Sequence, residues 1–166
     1  MELSMESRKL VLISGVPGAG KSFFARWLRD HHEFDLYETD KNNGNPPSTE
    51  WIFRQDRLVV EWGFPANEPL LSESISLIRS WVGSGVSHWW FDGDRGAARV
   101  SFLRRGTLPE TSRGIGLGRA WDLQVGEIDR NWQKIQELFP SERRLNVIKA
   151  GPIYRPTKEI FATIFS

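Results

Sequence analysis

The chain has no cysteine, which excludes disulfides, thiolate catalysis and cysteine-ligated zinc together. It has no run approaching the roughly 20 uninterrupted apolar residues that a membrane helix needs. Its first residues, Met1 to Arg8, carry no apolar core of signal-peptide length, so secretion is not indicated. A cytoplasmic address with no membrane partner is the expectation. Charge of one sign is equally scarce. A net charge of +1 provides no global field to draw in nucleic acid or acidic lipid.

What remains is an ordinary globular composition, 39% apolar and 26% charged. A length of 166 residues suits one compact domain. No internal repeat, low-complexity tract or linker interrupts it, so residues 1–166 are expected to form a single domain.

Lys9 to Ser14 is a nearly continuous apolar run rich in β-branched residues, the pattern of a strand covered on both faces. It runs into Gly15 and then a helical stretch marked by Phe23, Phe24, Trp27 and Leu28. Further strands are predicted at 34–39, 57–63, 86–91 and 145–149. Between them lie helices carrying the stripes Leu70, Leu71, Ile75, Ile78, Trp81, Val82 and Trp121, Val125, Ile128, Trp132, Ile135, Phe139. The second stripe predicts one long helix that Pro140 closes. Helices are also predicted over 95–105 and from about Pro156 to Ile164. Alternation of this kind implies an α/β fold, a parallel sheet with helices on both faces.

Gly15-Val16-Pro17-Gly18-Ala19-Gly20-Lys21-Ser22 fits G-x-x-x-x-G-K-[ST] at every fixed position. The glycines let the backbone wrap closely around a phosphate, and loop amides and the helix N-terminus then point at the anion. Lys21 would supply a compact charge to the β- and γ-phosphates, and the Ser22 hydroxyl a Mg²⁺ ligand. Phe23 follows in the first helical turn. The nucleotide expected is ATP, because the guanine-specifying N-K-x-D stretch of a GTPase does not occur.

Ligands of such sheets sit at the carboxyl ends of strands, and three acids are predicted there: Asp40, Glu61 and Asp92. Asp40 either receives the proton of a substrate hydroxyl or is an aspartate favoured by turn chemistry. Glu61 follows an apolar strand and suits the metal side of the site. Asp92 could serve there too, but Asp92-Gly93-Asp94 reads equally as a turn and helix cap, so Glu61 is preferred. A basic stretch holds Arg95, Arg99, Arg104, Arg105, Arg113 and Arg119 against one acid, Glu110. Beside a phosphate loop, those guanidinium forks match phosphoryl oxygens, although a solvated face would look the same. The Gly-, Pro-, Ser- and Thr-rich residues from Gly106 to Gly118 read as a loop. Eight tryptophans are present. Trp81, Trp121 and Trp132 fall on helix stripes, whereas Trp51 and Trp62 fall near the expected substrate mouth.

In order and spacing these residues resemble the P-loop small-molecule and polynucleotide kinases, the adenylate-kinase-like group. The resemblance covers most of the chain, and only its phosphate loop is highly specific. It implies the three-layer P-loop fold with a five-stranded parallel sheet in the order 2-3-1-4-5, and a short lid at about 104–120. The Asp40 position resembles the family's substrate-side acid, and Val59-Val60-Glu61 its third-strand acid, where Asp is commoner. Phe91-Asp92-Gly93 through Arg104-Arg105-Gly106 is similar to the fourth strand and lid entry of gluconate-kinase-like members. That makes Arg99, Arg104 and Arg105 phosphate-facing candidates. Gly151-Pro152 resembles the loop flanking adenine. The implied activity is transfer of the γ-phosphoryl of Mg-ATP to a small-molecule hydroxyl. The alternatives are a polynucleotide 5′-hydroxyl kinase, with the arginines on nucleic acid, and a non-catalytic ATP-binding protein.

Overall fold

The computed structural model describes residues 8–104, 116–149 and 153–166. Six strands form one sheet in the order β2-β3-β1-β4-β5-β6. These are β1 (Lys9–Gly15), β2 (Asp35–Glu38), β3 (Arg57–Glu61), β4 (Ser87–Gly93), β5 (Arg144–Lys149) and β6 (Ile153–Tyr154). The first five pair in parallel, in the expected 2-3-1-4-5 order. The sixth was not anticipated. It is a two-residue strand that runs antiparallel to β5, pairing Ile148 with Tyr154 and Lys149 with Ile153.

The described helices are α1 (Lys21–His32), α2 (Thr49–Ile52), α3 (Leu70–Gly83), α4 (Arg95–Leu103), α5 (Leu117–Arg130), α6 (Trp132–Leu138) and α7 (Thr157–Ile164). Successive strand residues point to opposite faces of a sheet, and β4 shows which helices lie where. Phe91 meets Phe24 of α1, whereas its neighbour Trp90 meets Trp132 of α6 and Phe139. Trp81 of α3 reaches the Trp62 ring just after β3. Phe161 of α7 sits edge-on to Trp27 of α1. The sheet is thus sandwiched, with α1 and α7 on one face and α3 and α6 on the other. Central β1 is buried along nearly its whole length, which its continuous apolar run required.

The long helix expected over residues 121–139 is two helices. Asn131 interrupts it, because its side-chain amide donates to Ala66 O at 2.6 Å, outside the helix, as well as to Glu127 O at 3.3 Å. The apolar stripe passes through this joint unbroken. Side chains cap α2 and α4: Ser48 accepts from Trp51 N, and Asp94 accepts from Ala97 N at 2.8 Å.

One core residue gives the fold a pH dependence. His88 of β4 is 7% exposed. Its Nε2–H donates to Leu138 O at 2.7 Å, while Nδ1 is buried without a partner. A second proton would create a buried N–H with no acceptor, near Arg143. Burial first, then Arg143, hold this imidazole below the ordinary histidine range, against the opposing pull of Leu138 O. The folded state therefore favours the neutral ring. Its contribution is complete above the unfolded value of about 6.5 and is lost as pH falls through the lower folded value. Melting temperature should drop between pH 7.5 and 5.5, and His88→Gln should flatten that drop. Parallel curves for the two proteins would refute this.

Candidate functional site

The phosphate-loop sequence forms the turn between β1 and α1, at the centre of the sheet. Gly15 has φ 149°, and a Cβ there would lie 2.1 Å from Phe91 O. Gly18 has φ 87°, and its Cβ would lie 2.0 Å from Ala98 O on α4. Gly20 caps α1 in the left-handed region at φ 81°. No side chain caps α1 and no acid lies in its first turn, so its first amides, at Lys21, Ser22 and Phe23, keep their positive potential. The motif's glycines are a geometric requirement, since two of them let other backbone approach within contact distance.

Within the loop, Ala19 N donates to Val16 O at 3.1 Å. Lys21 is 5% exposed, and its ammonium donates to Val16 O at 3.0 Å and Gly15 O at 3.2 Å. Ser22 is half-buried, and Phe23 is 71% exposed. Pro17 O accepts from Trp121 Nε1 of α5 at 2.8 Å, and Gly18 O accepts from Tyr154 OH of β6 at 2.9 Å. Neither partner was singled out for the loop from sequence. A buried indole N–H generally finds an acceptor, but nothing in a stripe of apolar residues says which.

Glu61 ends β3 and is 4% exposed. It registers with Ile13 on one side and Glu38 on the other. Registered residues of parallel neighbours share a face. Glu38 points at α1, because Arg26 Nε meets it at 3.0 Å and Lys41 Nζ at 2.7 Å. Glu61 is therefore on the α1 side of the sheet. Ser22 stands one turn before Arg26 on the same helix face. Ser22, in the first turn of α1, and Glu61, at the end of β3, thus lie on the same side of the sheet.

Glu38 went unnoticed in the sequence. The strand ends there, and Asp40 lies two residues on, exposed in a short 3-10 turn over Thr39–Asn42. Asp92 lies inside β4, where its carboxylate accepts from Arg95 Nε at 3.1 Å, Gly93 N at 2.9 Å and Trp90 Nε1 at 3.2 Å. These bonds commit it to holding the strand end. Arg99 bridges α4 to α5 through Asp122 at 3.1 Å, and its guanidinium packs over Gly118. Arg104 caps α4, exposed. Arg105, Gly151, Pro152 and most of the expected lid lie outside the described residues. Trp62 is 3% exposed, against Phe64 and Trp81, so it is core and has no free face for a substrate. Trp51 stands half-buried beside Tyr37. A concavity lined by Arg29, Phe34, Tyr37, Glu38 and Lys41 runs along the β2 edge of the sheet.

No family model and no curated protein matches this sequence. Solved structures do. A shikimate kinase from Bacteroides thetaiotaomicron superposes with a TM-score of 0.58 at 9% identity, over 94% of this chain and 94% of that one. A shikimate kinase from Acinetobacter baumannii, in complex with shikimate, gives 0.55 at 10% identity, over 97% and 93%. A gluconokinase from Sinorhizobium meliloti gives 0.54 at 13% identity, over 94% and 89%. At such identities the likeness is one of fold. This chain, with its phosphate loop between β1 and α1 and its β2-β3-β1-β4-β5 core, has the P-loop kinase fold.

Proposed function

We propose that this protein is an ATP-dependent phosphotransferase whose acceptor is the hydroxyl of a small molecule. The observation that carries the reading is one arrangement. A glycine loop with a buried lysine and an uncapped helix N-terminus stands beside a buried carboxylate on the same sheet face. Backbone from Gly15, Pro17, Gly18, Ala19, Gly20, Lys21, Ser22 and Phe23 surrounds the phosphates, and Lys21 offsets their charge. Arg99, Arg104 and Arg105 neutralise charge on the transferred group. Gly151 and Pro152 flank the base. Asp40 receives the hydroxyl proton as the acceptor oxygen bonds to phosphorus and the β–γ bridging oxygen leaves with its electron pair.

The donor set suits Mg²⁺. That ion keeps several waters and takes one or two protein oxygens beside substrate phosphates, so the Ser22 hydroxyl and the buried Glu61 carboxylate suffice. When bound, Mg²⁺ supplies charge neutralisation across the phosphates. Glu61→Gln should weaken Mg²⁺-dependent nucleotide binding about ten- to a hundredfold, while binding in chelator stays unchanged. Equal effects with and without Mg²⁺ would remove Glu61 from the metal side.

The function is tested by γ-labelled Mg-ATP with a panel of polyols, hydroxy acids, nucleosides and 5′-hydroxyl oligonucleotides. Label transfer to a small molecule supports the proposal. Transfer only to oligonucleotides, weakening steeply with salt, would replace it with the polynucleotide reading. No transfer to any acceptor would leave a non-catalytic nucleotide binder.

A further inference from the structure

The carbonyls of the phosphate loop are the groups that would repel a phosphate, and the first four, from Gly15 to Gly18, are already engaged. Gly15 O accepts from Lys21, and Val16 O accepts from Lys21 and Ala19 N. The loop satisfies those two by itself. It has no donor for the next two, and both are taken by side chains distant in the chain: Trp121 Nε1 on Pro17 O and Tyr154 OH on Gly18 O. A trans peptide is planar, and its N–H points opposite to its C=O. Fixing Pro17 O against α5 turns the Gly18 amide the other way. Fixing Gly18 O against β6 turns the Ala19 amide towards Val16 O, where it is found.

We infer that Trp121 and Tyr154 are positioning residues that hold the phosphate loop in its anion-receiving conformation from outside. The inference rests on the reading of the loop as a phosphate site. Trp121 is 7% exposed and comes from α5, and Tyr154 is 37% exposed and comes from the short β6. Two elements distant from the loop in the chain thus converge on consecutive carbonyls. The ring of Tyr154 also lies against Gly20, 3.4 Å from where its Cβ would be, an ordinary contact distance. A loop held this way meets its ligand without reorganising, and donors placed before binding are worth most. Released, the two peptides flip freely: Pro17 O turns to where the Gly18 amide pointed, and the Ala19 amide loses its bond to Val16 O.

Trp121→Phe and Tyr154→Phe each remove one donor. Tyr154→Phe deletes a single oxygen, and so covers the chance that the smaller ring at 121 disturbs packing. Calorimetry with ATP, and with tripolyphosphate as a base-free probe, should show each variant binding both about three- to tenfold more weakly. Hydrogen exchange without ligand should be about tenfold faster at the Gly18 to Gly20 amides and unchanged in β1 and β4. A merely structural role would not produce that confinement. Wild-type exchange at the loop, with both affinities within twofold, would overturn the inference and leave the nucleotide reading standing. Wild type that binds neither probe would remove the nucleotide reading, and the exchange rates alone would then judge the clamp.

Discussion

Lys21→Ala is expected to weaken ATP binding about a hundredfold and to abolish phosphoryl transfer. The ammonium is nearly enclosed and donates to Gly15 O and Val16 O, at the mouth of the loop. A charge so placed is desolvated before ligand arrives, so exchanging a carbonyl for a phosphate oxygen costs little and gains a charge-assisted bond. Bonds to charged groups contribute about 1.5–3 kcal/mol each, and about 1.4 kcal/mol is a factor of ten. One or two such bonds to the β- and γ-phosphates account for the expected loss. The fold should survive, because the side chain's bonds to Gly15 O and Val16 O lie within the loop itself. Calorimetry beside a thermal melt separates the two effects. A variant that binds ATP as wild type does would show that the loop is not the nucleotide site.

Gly18→Ala should do comparable damage by another route. Its φ of 87° is costly for any residue with a Cβ, by about 1–2 kcal/mol. The new methyl would also sit 2.0 Å from the backbone oxygen of Ala98, which cannot swing aside as a side-chain tip can. Either the loop or the start of α4 must move, and Arg99 follows Ala98. We expect a fall in melting temperature of about 5–10 °C, at about 2–4 °C per kcal/mol for a chain of this size. ATP binding should be lost with it. Gly83→Ala is the control. Gly83 ends α3 with nothing within 4 Å of its would-be Cβ, and alanine there should be neutral or slightly stabilising. Equal effects at 18 and 83 would contradict the account.

The features readable from sequence are those that local chemistry determines. A strand covered on both faces must be continuously apolar, and β1, β3 and β4 announce themselves for that reason. The phosphate loop is readable because Gly15 and Gly20 take positive φ that favours glycine, while Lys21 and Ser22 are the side chains a phosphate and its Mg²⁺ call for. The remainder depends on partners far along the chain. Glu38 is one acid in Asp-Leu-Tyr-Glu, and it becomes a buried carboxylate only when α1 brings Arg26 over it and the following turn brings Lys41. β6 is two residues long, with Ile153 62% exposed, and has no periodicity to detect. The break at Asn131 is hidden because the apolar stripe continues on both sides, and only contact with Ala66 O shows what that amide does. The tryptophans follow the same division. Trp81 and Trp90 are core, as helix stripe and strand run imply, whereas the bond from Trp121 to Pro17 spans 104 positions.

The account stands most directly on a calorimetric titration of wild-type protein with Mg-ATP and with Mg-GTP. It predicts one ATP per chain, weaker GTP, and loss of the ATP signal in Lys21→Ala. No heat with either nucleotide, or binding that Lys21→Ala leaves intact, would contradict it.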